Sequence, residues 1–169
     1  MSNFLESNKS AKEWLVEGRN IVGDRYNSEL TTREITAILR KEIREFAKKN
    51  GAKVGVTFES FSGGSAINVS IKDFRGELYS KEYVEYLKQF DNGTKDFYKY
   101  LEDNNLRMRT PRYSKEMVIF KEKLKEMLDS YNRDDSDIMT DYFDVKFYGS
   151  VDVDYDFSER EDAKYSREI

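Results

Sequence analysis

The chain has 169 residues, 37% of them charged and 38% hydrophobic, so it forms one domain with an economical core to which 11 Phe and 12 Tyr contribute heavily. With no Cys there is no disulfide framework, thiolate metal site or cysteine nucleophile, and with no His the commonest general base and zinc ligand is missing. Ser-His-Asp and Cys-His catalysis are thereby excluded, and a bound metal would need oxygen ligands, which suit Mg²⁺, Mn²⁺ or Ca²⁺.

The net charge of −4 is unevenly spread. Residues 129–169 carry 13 acids against 5 bases, whereas residues 1–128 carry 20 acids against 24 bases. Such asymmetry speaks to partners rather than to fold. No apolar run reaches the ~20 residues of a membrane span. Met1 to Lys12 lack the basic-then-apolar layout of a signal peptide. The expected location is the cytoplasm, without a membrane partner.

Residues 1–28 are polar and read as a peripheral segment, with a short helix near Ser10–Glu17 and Trp14 packed on the domain. The clearest elements follow. Thr31 and Glu34 have the spacing of a capping box, and Ile35, Ile38, Leu39, Ile43, Phe46 and Ala47 share one helical face. Asn50-Gly51 ends that helix, Thr32–Lys49. From Lys53 the period switches to two, through Val54, Val56 and Phe58 and again through Ile67, Val69 and Ile71. The glycine pair in Ser62-Gly63-Gly64-Ser65 predicts a hairpin. A phosphate cradle would need a helix after the glycines, and a strand follows.

Tyr83 to Phe90 and Phe97 to Leu101 predict two short helices, the first closed by Asp91-Asn92-Gly93. Their tyrosines suit core packing or a contact surface. Arg107, Arg109, Arg112 and Lys115 then surround the only proline, Pro111. Arginines beside a Tyr can hold phosphates and stack on bases. Four charges are few for a nucleic-acid footprint, so a solvated loop before a helix is the first reading and direct binding the secondary one. Ser114 is a plausible N-cap for a helix over Lys115–Tyr131. From Phe143 to Phe157 alternation predicts one long strand, broken at Gly149, with Asp144, Asp152, Asp154 and Asp156 on its polar face. Residues 158–169 read as a charged flexible tail.

Asp134, Asp135, Asp137, Asp141 and Asp144 form the most unusual stretch. Three readings fit it. In the first, Asp137 caps a short turn and its neighbours face water. Asp134, Asp135, Asp137 and Asp141 would suit a divalent cation and a metal-dependent nuclease or hydrolase, although the EF-hand glycine and glutamate are missing. Together with Asp144, Asp152, Asp154 and Asp156 they would make an anionic surface that imitates a nucleic-acid backbone.

Two blocks, Thr32–Ile71 with its V-x-V-x-F-E-S-F-S-G-G-S-A-I-N-V-S run and Tyr131–Tyr148 with Y-N-R-D-D-S-D-I-M-T-D-Y-F-D-V-K-F-Y, resemble the large polyvalent protein-associated domain, number 29 in its series. The positions that carry this likeness are Gly63, Gly64, Ser65, Asn68, Asp135, Asp137, Asp141, Tyr142 and Asp144. The resemblance implies a context of phage and conjugative-element proteins and no particular chemistry. A stand-alone copy of this size is similar in kind to anti-CRISPR proteins. The expectation is therefore an α+β domain over 1–157, a small mainly antiparallel sheet of three or more strands with helices on one face. Its expected role is a non-enzymatic inhibitor of a Cas9-type nuclease in a bacterial host cell, needing no cofactor and acting through the acidic surface.

Overall fold

The computed structural model describes residues 21–89, 96–107, 110–137 and 143–166, apart from the side chain of Ser166. The expected helix at Ser10–Glu17, its Trp14 and the stop at Asp91-Asn92-Gly93 lie outside the described residues. Helix α1 (Thr32–Lys49) opens on the expected capping box. The Thr31 hydroxyl accepts from the Glu34 N–H at 3.2 Å, and the Glu34 carboxylate accepts from the Thr31 N–H at 2.7 Å. The reciprocal bonds satisfy two backbone donors that a helix start leaves open. They also hold the Glu34 carboxyl below its ordinary range. At the other end Gly51, at φ +67°, turns the chain directly into the sheet.

Strands β2 (Ala52–Phe61) and β3 (Gly64–Phe74) form the expected hairpin, with a bulge between Lys53 and Val54. Strand β5 (Tyr148–Val153) completes a sheet ordered β2-β3-β5 and runs parallel to β3. A second, two-stranded sheet joins β1 (Ile21–Val22) to β4 (Arg133–Asp134). The remaining helices are α2 (Lys81–Gln89), α3 (Phe97–Asp103), α4 (Lys115–Asp129) and α5 (Tyr155–Ser166). The fold is α+β, and Ser114 caps α4 as its position suggests, accepting from the Met117 N–H at 3.1 Å.

Alternate residues of the central strand build the core. Ile67, Val69 and Ile71 are at most 1% exposed and so are Ile35, Leu39, Ile43 and Ala47 of α1, which packs on β2 and β3. Helix α4 lies beside α1 against β5 and buries Met117, Leu124 and Leu128 completely. Each such side chain contributes about 1.5–3 kcal/mol through burial. The opposite parity carries Thr57, Asn68, Ser70, Ser150 and Asp152, and on this side the sheet is polar. Phe61 and Tyr148 share that side at one end, with ring centroids 6.0 Å apart. No helix among the described residues is long and apolar enough to cross a membrane.

The long strand expected from Phe143 to Phe157 is not formed. Asp154 ends it. Its N–H still donates to the Ile71 carbonyl at 2.9 Å, but its carboxylate accepts from the Asp156 N–H at 3.1 Å and its carbonyl from the Ser158 N–H at 3.0 Å. Those last two bonds make Asp154 the N-cap of α5. Residues 158–166, expected as a charged tail, are most of that helix. Phe157 is 1% exposed, and Tyr165 packs against the same core. Phe157→Ala should therefore cost about 3–5 kcal/mol of stability, as a buried aromatic does. Urea denaturation checks this, and an unchanged midpoint would contradict the docking of α5.

Candidate interaction surface

The carboxylates expected to form one anionic row fall into two groups. The first lies where β4 runs antiparallel to the segment before β5. Asp135 N–H donates to Asp144 O at 2.8 Å, and Lys146 N–H to Arg133 O at 2.9 Å. This brings the Arg133 guanidinium onto Asp144 in a two-bonded pair, Nη1 to Oδ2 at 3.1 Å and Nη2 to Oδ1 at 2.7 Å. These bonds hold the Asp144 carboxyl below its ordinary range and raise the Arg133 guanidinium. Asp134 accepts from the Ser136 N–H at 3.0 Å, and buried Ser136 accepts from the Asp144 N–H at 3.0 Å. Asp144 is thus neutralised and Asp134 serves the turn. Asp137 is half-buried and Asp135 exposed, while Asp141 and Tyr142 lie outside the described residues.

The second group sits at the other end of β5, roughly 16 Å away for five strand steps. Asp152 is exposed on the polar side of the sheet, beside Ser70 in register. Asp154 is spent on the cap of α5. Asp156 is exposed in its first turn, where a negative charge favours the helix dipole. Tyr155, 72% exposed, donates to the Glu159 carboxylate, which raises its phenol above the ordinary value. Tyr155, Asp156 and Glu159 thus sit together at the start of α5, and with Asp152, three residues before Tyr155 on the polar side of the sheet, they make up an anionic corner. Glu159 lies beyond the alternating run, and the alternation puts Tyr155 on the packed parity, whereas as the first residue of α5 it turns to solvent.

Among the described residues no three Asp or Glu side chains are grouped to hold a metal ion. Of the arginines proposed for nucleic acid, two are described. Arg109 lies outside the described residues and Arg107 is exposed. The Arg112 guanidinium stands over the rings of Tyr83 at 4.8 Å, Tyr79 at 5.5 Å and Tyr113 at 5.7 Å. Burial opposes its charge, but the Tyr79 hydroxyl and neighbouring phenols outweigh that and raise it. Buried Tyr79 in turn donates to Asp162 of α5, tying the arginine loop to the C-terminal helix. A cleft of about 930 Å³ opens beside Tyr79, lined by as many acidic as basic side chains. Its walls therefore favour neither sign of ligand.

Compared with models of protein families, with curated proteins and with solved structures, the chain gives no match.

The Arg133–Asp144 pair has a pH signature. Because the folded Asp144 carboxyl lies below its ordinary range, the stabilisation is complete above the unfolded value of about 3.9 and vanishes as pH falls through the folded value. Asp144→Asn should melt lower than wild type near neutral pH, and the gap should close in strong acid. Thermal melts across that range check it. A gap that persists in acid would mean the ion pair is not its source.

Proposed function

We propose that the chain is a non-enzymatic anti-defence protein of a mobile element, an inhibitor of anti-CRISPR type that acts in the cytoplasm of a bacterial host. It binds a Cas9-type nuclease through its anionic corner and blocks loading of guide or target nucleic acid. The observation that carries this reading is the pair Asp156 and Glu159 beside a Tyr155 that is 72% exposed, with exposed Asp152 three residues before it on the sheet. Carboxylates on a rigid strand-to-helix joint compete with phosphates for a basic groove. An exposed Tyr among them supplies the large amphipathic contact that binding hot spots favour. Asp135, at the far end of β5, adds charge to the same partner only if the groove is long enough to reach both groups. The likeness of the two sequence blocks to a phage-associated domain supplies the biological context.

The test is capture of a Cas9-type effector and inhibition of its DNA cleavage. The double variant Asp152→Lys, Asp156→Lys should weaken inhibition on the order of tenfold or more, with added salt acting in the same direction. Failure to bind any host nuclease, or inhibition indifferent to the reversal, would overturn the proposal. Turnover of RNA or DNA with Mg²⁺ or Mn²⁺, abolished by Asp137→Ala, would replace it with the hydrolase reading.

A further inference from the structure

We propose that the outer edge of β2 is a docking site for an extended acidic segment of a partner protein, which adds one more strand beneath a row of arginines on α1. This surface is separate from the anionic corner and does not rest on it. Strand β2 is ten residues long and stands at the edge of its sheet. Successive residues of a strand aim their backbone groups at alternate edges. Phe61 pairs with Gly64 across the two-residue turn, so the odd positions from Gly55 onward bond β3. The N–H and C=O groups of Val54, Val56, Phe58 and Ser60 therefore face outward.

Among the described residues one side chain covers part of this edge, while the extra residue of the bulge, Lys72, lies on β3. Arg40 Nε donates to the Val56 carbonyl at 3.2 Å, in the place where a neighbouring strand would donate. Arg40 is one of three. At 3.6 residues per turn, Arg33, Arg40 and Arg44 fall on one flank of α1, the flank above this edge. The Arg33 guanidinium lies 5.1 Å from the ring of Phe58, another edge residue. Among the described residues none of the three is ion-paired. Of the three acids of α1, Glu34 closes the capping box, Glu42 is held by Arg25 at 2.6 Å on the opposite flank, and Glu45, about 140° round the helix from Arg40, pairs with none of the three arginines among the described residues.

The dimensions agree. The arginine row is about 16 Å long by helical rise, and the edge from Val54 to Ser60 about 20 Å by strand rise. An added strand presents side chains to one face roughly every 7 Å, so its acidic positions meet the row along its length. An incoming N–H replaces Arg40 on Val56 and frees that guanidinium for a carboxylate. Open backbone groups beside unpaired arginines fit an acidic peptide, whereas a phosphate chain would leave the edge unsatisfied.

The probe is a fluorescent decapeptide alternating Glu and Val, with three controls: a Lys/Val counterpart, a version N-methylated at alternate residues, and a single-stranded oligonucleotide. The full chain should bind the Glu/Val peptide in a salt-sensitive way and ignore the Lys/Val peptide. N-methylation should weaken binding at least fivefold, about the effect of one lost backbone hydrogen bond. Ser60→Pro removes one outward N–H without touching the β3 ladder and should act similarly. Arg33→Gln with Arg44→Gln should weaken binding roughly tenfold, and folding of each variant is checked by its thermal melt. Equal binding of both peptides, no binding at millimolar peptide, or indifference to N-methylation would overturn the proposal. Tighter binding of the oligonucleotide, unaffected by a folded Ser60→Pro, would also overturn it and assign the row to phosphates.

Discussion

Burial of one face of β3 is the constraint on which the molecule depends. Ile67, Val69 and Ile71 are sealed beneath α1, while both backbone edges of the same strand are consumed, antiparallel by β2 and parallel by β5. A one-residue slip of either neighbour would turn its buried set to water. The polar side of the sheet follows from the same parity. Ser150 Oγ there donates to Asn68 Oδ1 at 2.7 Å, cross-linking β5 to β3. Gly64 is small for a reason on that side, because a Cβ would come within 3.2 Å of the Phe61 ring and 3.4 Å of Tyr148.

The elements that are legible in the sequence are those whose local signals agree with their packing. Thr31, Glu34 and Gly51 mark both ends of α1, and the glycines after Phe61 mark the hairpin. The failure at Phe143–Phe157 has a specific cause. V-D-V-D-Y-D-F continues an alternating pattern through Asp154, although the last three residues are already helical. Asp154 has no Glu or Gln three residues on to complete a capping box. Few apolar side chains of α5 pack into the core, chiefly Phe157 and Tyr165, too few to impose a helical period. The parallel pairing of β5 was equally hidden, since periodicity carries no information about strand direction.

The acidic half of the chain shows how composition and surface diverge. An Asp beside a free backbone N–H is drawn into local bonding, as Asp134 and Asp154 are. One opposite an arginine is neutralised, as Asp144 is. What reaches solvent is a smaller set, Asp135 beside β4 and Asp152, Asp156 and Glu159 around the joint where β5 gives way to α5. On the basic side, α1 holds Glu42 away from its arginine row through Arg25 and Tyr131, so the two signs are separated by secondary structure as well as by sequence.

The parallel partner of β3 has a consequence during synthesis. The hairpin cannot receive β5 until 82 further residues have followed, the separation between Asn68 and Ser150. At cellular elongation rates that interval is on the order of 10 s. Throughout it, a finished helix and hairpin leave the ribosome with one flank of the central strand unmatched. The nascent chain is therefore a natural client for a holding chaperone, and slowing translation after the hairpin would prolong that vulnerable state.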